Sequence, residues 1–328
     1  MKSVLITGGM GFIGNFLSHR LLSLGIRVTI LDKSIYRPTY CDITNAQVIE
    51  GDVLSKELLK ECLSKVDACI HLAATTSISA CAKDWLFSHE NNVIAFNGLL
   101  DVIRKMSRPI RLVYASSAAV YGNEINLPLT EAQAIKPCSA YGADKLSNEI
   151  YAEIAHQTFK INPIGLRFFN VYGPGQGGNN YSSVITSFNT AIVQEKPLII
   201  FGNGKQTRDF IYIDDVVDGI LAAVLSPVDT YGVFNICSGK AISILELAQI
   251  MLKMYAKKVP IYHEKPRKGD LYYSLGSTDL AKEKLKFTAK TCIEDGLRYF
   301  IESASSKFNQ NVLLSSQTLN LNIRQKYT

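Results

Sequence analysis

SVLITGGMGFIGNFLSHRLL, Ser3 to Leu22, sets a short β-branched and apolar run against a glycine-rich turn and then a helical run that extends to about Leu24. Within it Gly9, Gly11 and Gly14 satisfy G-x-G-x-x-G, and Gly8 adds the spacing Gly8-x-x-Gly11-x-x-Gly14. Glycine suits such a turn because the backbone needs unusual dihedrals, a pyrophosphate must approach it, and the helix must pack tightly on the strand. The helix N-terminus then faces the phosphates. The second strand, RVTILD, ends at Asp32, 18 residues beyond Gly14. A carboxylate there accepts both ribose hydroxyls of NAD and repels the additional phosphate of NADP.

Working outward, strands and helices alternate. RVTILD is followed by a helix near Lys56 to Leu63, then ACIHLAA, a helix from about Asn91 to Lys105, RLVYASS, a helix from about Tyr141 to Gln157, and NPIGLRFFNVYG. This alternation predicts an α/β fold: βαβ units building a Rossmann-like doubly wound parallel sheet covered on both faces. After NVYGPGQGGNN, glycine and proline cluster before a helix at about Val184 to Gln194, which predicts a smaller C-terminal substrate-binding domain. The expected organisation is a dinucleotide-binding domain over 1–170 with a return segment at 208–237, an interleaved substrate domain over 171–304, and a polar tail over 305–328. IDDVVDGILAAVL, Ile213 to Leu225, supplies the returning helix.

Composition bounds the function. The chain has 328 residues, 47% hydrophobic and 20% charged, enough for a sizeable core, and its longest apolar runs, such as Gly219 to Leu225, fall far short of a membrane span. The N-terminus lacks the pattern of a signal peptide, so the mature chain is expected to start near Met1. Seven cysteines without CxxC or clustered histidines argue against a disulfide framework and against a metal site, and point to a reducing cytoplasm. A net charge of +6 without a basic run longer than Lys265 to Lys268 suits an anionic small ligand and not nucleic acid.

Further segments fit a dinucleotide. Asp52 and Val53 follow a third strand, where an aspartate meets an adenine amino group. Leu72, Ala73 and Ala74 close the fourth strand with side chains that let the cofactor approach, and His71 is read as packed. At the opposite end of the cleft, SSAAVYG places hydroxyls after the fifth strand, and YGADK places Tyr141 and Lys145 one helical turn apart. A phenol titrates near about 10. A neighbouring ammonium and a positive nicotinamide ring favour its phenolate, making it an acid/base.

With these motifs in order, the chain from about Lys2 to Phe300 resembles the extended short-chain dehydrogenase/reductase family, and within it the nucleotide-sugar epimerases and dehydratases. The resemblance implies bound NAD, with Gly8, Gly11, Phe12, Ile13, Gly14, Asp32, Asp52, Val53, Leu72, Ala73, Ala74, Asn92 and Phe169 around it. It makes Ser117, Tyr141 and Lys145 the catalytic trio. Tyr141 takes the proton of a sugar hydroxyl, Ser117 bonds that oxygen, and Lys145 holds the nicotinamide ribose. Asn170, Arg208, Arg267 and Asp270 become contacts to the substrate's diphosphate, phosphate and ribose, arginine because its planar fork matches phosphate oxygens. The dehydratases of the family carry an Asp-Glu pair after the hydroxyl residue; here Ala118 and Ala119 stand there, so loss of water is not expected.

The expected activity is therefore a nucleotide-sugar 4-epimerase. Ser274, seven positions beyond Arg267, falls where the resembling enzymes line the carbon-2 substituent, and a small residue there admits N-acetyl groups. That implies UDP-N-acetylglucosamine and UDP-N-acetylgalactosamine, with UDP-glucose and UDP-galactose beside them; a slip of one residue would put Tyr273 in the corner and reverse the choice. The alternatives are a UDP-glucuronate 4-epimerase, a decarboxylase or reductase, or an NAD-sensing protein without turnover. The family resemblance also suggests a homodimer formed through two helices of each subunit.

Overall fold

The computed structural model describes residues 1–35, 40–176, 183–266 and 271–303. The first half runs β1 (Ser3–Thr7), α1 (Phe12–Ser23), β2 (Arg27–Asp32), β3 (Gln47–Glu50), α2 (Lys56–Ser64) and β4 (Ala68–His71). Two short helices follow, α3 (Ile78–Lys83) and α4 (Trp85–His89), then a π-helical turn (Glu90–Ile94) opening into α5 (Ala95–Ile103), and then β5 (Arg111–Ser117), α6 (Ala140–Phe159), β6 (Ile164–Phe168) and β7 (Asn170–Tyr172). The second half runs α7 (Val184–Val193), β8 (Leu198–Phe201), β9 (Thr207–Tyr212), α8 (Ile213–Leu225), β10 (Gly232–Ile236), β11 (Ala241–Ser243), α9 (Ile244–Met254) and β12 (Ile261–Glu264).

Seven strands form one sheet in the order β3-β2-β1-β4-β5-β6-β10, every neighbouring pair parallel. That order is Rossmann-like: the chain winds outward from β1 in one direction through β2 and β3, and in the other from β4. The reversal leaves a crevice outside the carboxyl ends of β1 and β4. β1 reads as a continuous apolar run because both its faces are covered. Val4 and Ile6 join Leu17, Leu21, Val216 and Ile220 on the side of α1 and α8. Leu5 joins Leu59, Leu63, Phe96 and Leu99 on the side of α2 and α5. Each such side chain, taken wholly out of water, contributes about 1.5–3 kcal/mol.

The returning helix α8 packs beside α1, where Arg20 reaches Asp218 at 2.8 Å and Asp214 at 3.8 Å. β10 then completes the sheet against β6. Two small sheets, β11-β9-β7 and β12-β8, stand apart from the large one. They share a core with α7 and α9 built on Tyr172, Phe188, Ile192, Leu247 and Met251.

The structure differs from the sequence expectation in three places. The helix expected over Asn91 to Lys105 begins as the π turn and ends at Ile103. NPIGLRFFNVYG, expected as one strand, breaks at Phe169, whose N–H donates to Ile236 O at 3.1 Å, so that β6 and β7 enter different sheets. Finally, α3 and α4 carry no one-sided apolar stripe: Trp85, Leu86 and Phe87 are all exposed. Their starts are fixed instead by side-chain caps, Ser77 accepting from Ala80 N–H and Asp84 from Phe87 N–H.

Candidate active site

The crevice is a cavity of about 630 Å³. Its floor is the glycine turn. Gly8, at φ +72°, accepts Gly11 N–H at 3.0 Å, and a Cβ there would lie 2.7 Å from Ala73 N. A Cβ on Gly14 would lie 2.5 Å from Gly8 O, so the start of α1 rests directly on the turn. No side chain caps α1, and its first turn holds no acidic residue. The backbone N–H groups of Phe12 and Ile13, whose residues line the cavity, therefore form an anion cradle with the helix dipole behind it. These features fit a dinucleotide pyrophosphate.

Gly11, Leu72, Ala73, Ala74 and Val53 line the same cavity, and so does Asp32 at the end of β2. The Asp32 carboxylate also accepts Met10 N–H at 3.0 Å and Ser34 N–H at 3.1 Å, which ties the ribose end of the site to the glycine turn. Asp52 sits beside the wall instead of on it, paired with Lys33 at 3.0 Å and accepting Leu54 N–H. Asn92 lies behind the wall. Its amide accepts Thr75 N–H at 2.7 Å and donates to Thr75 O and to Asp144 Oδ2, each at 3.1 Å, so it pins the turn that follows β4. His71 is buried against Phe96 with Thr7 Oγ1 at 2.8 Å from Nδ1. Burial, then the Lys145 charge, pushes it down to about 3, so it stays neutral.

The far wall carries Ser117, Tyr141, Lys145 and Phe169. Ser117 closes β5, and its Oγ accepts Ala119 N–H at 3.2 Å. Tyr141 and Lys145 lie on the first turns of α6, a helix started by Ser139, whose Oγ accepts Gly142 N–H at 3.1 Å. The Lys145 ammonium donates to Ala115 O at 2.8 Å and stands 5.8 Å from the centre of the Tyr141 ring. Burial pulls Lys145 down to about 8, against the opposing pull of Asp144. Burial also pushes Tyr141 up to about 12, with the Ser117 hydroxyl bond working the other way. Desolvation outweighs the Ser117 bond, so the phenol itself holds its proton, and the phenolate expected from the sequence depends on the Lys145 and nicotinamide charges together.

Of the substrate set, Asn170 Nδ2 donates to Asp209 O at 3.0 Å and Arg208 Nη1 donates to Thr207 O at 2.8 Å. Both belong to the β7–β9 pair, in which Asn170 registers with Phe210, and neither lines the dinucleotide cavity. Ser274 is buried, also off that cavity's wall. Arg267 and Asp270 lie outside the described residues. Conversely, Lys33, Thr75, Thr76, Phe87, Asn91 and Gln176 line the cavity without any sequence signal having singled them out. Lys33 is held across it by Asn91 Oδ1 at 2.7 Å.

With this geometry in place, the comparisons agree on one lineage. A putative UDP-glucose 4-epimerase of Methanocaldococcus jannaschii is 32% identical over 82% of the chain and 88% of its own length. UDP-glucuronate 4-epimerase 4 of Arabidopsis thaliana is 30% identical over 91% of the chain and 74% of its own. The solved UDP-N-acetylglucosamine 4-epimerase from Methanobrevibacter ruminantium M1, in complex with UDP-N-acetylmuramic acid, superposes with a TM-score of 0.86 at 30% identity, covering 93% of this chain and 99% of that one. Residues 4–237 match the model of the NAD dependent epimerase/dehydratase family, and the chain belongs to that family.

Proposed function

We propose that the chain is a UDP-sugar 4-epimerase that takes UDP-N-acetylglucosamine and UDP-N-acetylgalactosamine, and UDP-glucose and UDP-galactose beside them. The observation that carries this reading is the far wall: a hydroxyl, a phenol and an ammonium gathered at the end of β5, followed by Ala118 and Ala119, which move no protons. Such a wall supports reversible oxidation of a carbinol and offers nothing to expel a neighbouring hydroxyl.

NAD, held by the glycine turn and Asp32, would supply a reversible hydride acceptor for sugar carbon 4 and a positive ring in the cleft. The phenol of Tyr141 takes the proton of the 4-hydroxyl and gives it back to the same oxygen. Ser117 orients that oxygen by hydrogen bonding, while Lys145, fixed by Ala115 O, holds the cofactor's ribose and favours the phenolate. Between the two transfers the 4-ketosugar turns in the cleft and presents its other face. Asn170 and Arg208, with Arg267 and Asp270, hold the diphosphate and ribose of the substrate.

The likeness to UDP-glucuronate 4-epimerase 4 favours a second reading, with UDP-glucuronate as substrate. Proton NMR of UDP-glucose, UDP-N-acetylglucosamine and UDP-glucuronate, each incubated with the purified protein, separates them by the new anomeric doublet. No conversion of any of the three would refute both. We also propose a homodimer: Ile150, Tyr151 and Ile154 are exposed on one side of α6, an apolar stripe that a second copy would cover.

A further inference from the structure

Behind the far wall, and reaching its surface at Ser116, runs a buried polar network that the proposed chemistry does not use. Glu149 lies two turns beyond Tyr141 and one beyond Lys145, on the same side of α6. Its carboxylate accepts three hydrogen bonds: Ser116 Oγ at 2.5 Å, Arg167 Nε at 2.9 Å and Arg167 Nη2 at 2.7 Å. Both charged side chains are almost wholly buried, at 6% and 3% exposure. Arg167 Nη1 continues to Tyr121 Oη at 2.8 Å, which donates to Asn235 Oδ1 at 2.7 Å. Asn235 Nδ2 then donates to Leu129 O at 2.9 Å and lies 3.4 Å from Ser277 O.

The anchor points on β5 are consecutive. Ala115 O takes Lys145, Ser116 Oγ takes Glu149, and the Ser117 hydroxyl bonds Tyr141. Three successive strand residues thus hold three residues of α6 spaced four apart. A slide or roll of the helix relative to the strand would break all three bonds together. We infer that Glu149, clamped by Arg167 and Ser116, is a positioning residue that registers α6 on β5 so that Tyr141 and Lys145 meet Ser117. The same clamp reaches the segment containing Ser274 through Tyr121, Asn235 and Ser277, so the proton-transfer wall and the proposed sugar corner share one frame.

The inference rests on the proposed epimerase reading for its kinetic arm, and a second arm is independent of it. Ser116→Ala removes the tie between Glu149 and β5 while leaving the Arg167–Glu149 pair intact. Expected is a fall in kcat on the order of tenfold, with KM within about twofold and the loss largely restored by Ser116→Thr, which keeps a hydroxyl. In the NAD-free protein, the Lys145 signal in carbon-13ε lysine NMR, assigned with Lys145→Met, should titrate at higher pH in Ser116→Ala than in the wild type, because loosening α6 lets water relieve the burial that depresses it. If Ser116→Ala lowers only the thermal midpoint, with the Lys145 titration unmoved, the clamp is merely structural and the inference falls. Absence of turnover in the wild type would sink the epimerase reading, while the titration would still decide the role of Glu149.

Discussion

Gly14→Ala puts the cofactor cradle to a direct test. The added Cβ would lie 2.5 Å from Gly8 O, 2.6 Å from Gly9 Cα and 2.8 Å from Gly9 C, where ordinary contact begins at 3.4 Å. All three neighbours are backbone. Gly8 itself is pressed against the backbone of Leu72 and Ala73, so the turn cannot retreat toward β4 and must open toward the cavity. Overpacking of this kind costs about 1–3 kcal/mol of stability. Displacing the N–H groups at the start of α1 weakens one or two charge-assisted bonds to a pyrophosphate, about 1.5–3 kcal/mol, or roughly 10- to 100-fold in Kd. Gly25→Ala is the control, because Gly25 also has a positive φ, +74°, yet open space around its Cβ. It should lose a similar amount of stability, about 1–2 kcal/mol, and bind NAD normally. Calorimetric titration of both NAD-free variants with NAD, beside urea unfolding, decides the matter: equal Kd values in the two would refute the cradle.

Tyr141→Phe should leave NAD content and melting temperature unchanged and lower kcat by about 10²- to 10⁴-fold; turnover near that of the wild type would remove Tyr141 as the proton acceptor. Lys145→Met should abolish turnover and, in the NAD-free protein, remove the gain in stability, about 2–3 kcal/mol, that the wild type makes between pH 7 and pH 10, since burial pulls Lys145 down to about 8 from its ordinary 10.5. The sign follows from the depressed value: between pH 8 and 10.5 the unfolded chain binds the proton that the folded chain has released, so wild-type stability relative to the variant should rise across that window and be lowest below it. Urea unfolding of both proteins at pH 7 and pH 10 measures this, and a constant difference would contradict it. Ser274→Tyr should lower kcat/KM for the N-acetylated pair at least about tenfold while sparing UDP-galactose, because a ring at that buried position takes the volume of the acetamide; equal losses on both classes would free Ser274 from any part in specificity.

The elements that the sequence made legible are those in which local pattern and tertiary environment coincide. β1 reads as a strand because both its faces are buried, and the glycines of its turn read as a cradle because no side chain fits there. Ser117, Tyr141 and Lys145 were legible only through the family resemblance that the ordered motifs carry, and all three line one wall. The rest of that wall was not legible, because it is assembled from residues without a pattern of their own. Phe87 comes from a helix with no apolar stripe, and Gln176 is placed by its bond to Val171 O at 2.6 Å. Asp52 and Asn92 look like ligands from sequence position, yet their side chains are spent on Lys33, Thr75 and Asp144. The clamp behind the wall joins residues 46 and 114 positions apart, a separation at which no local pattern survives.

Helix α6 explains why the site resists a reading by hydrophobic period. Its inward side carries Asp144, Lys145, Asn148 and Glu149, all buried, whereas Ile150, Tyr151 and Ile154 face outward. A helix with its polar side inside inverts the usual arrangement, and each half of the inversion has its own consequence. The inward half needs partners, because buried charges are tolerated only when paired and hydrogen-bonded. Arg167 provides one for Glu149, while Asn92 and His89, whose Nδ1 lies 2.9 Å from Asp144, provide others. The outward half presents the apolar face that the proposed dimer would cover. Placing an ammonium and a phenol in the wall of a cleft thus dictates both the ionic frame behind the wall and the apolar face left over on the far side of the same helix, so the catalytic wall and the proposed dimer contact are two consequences of one segment's composition.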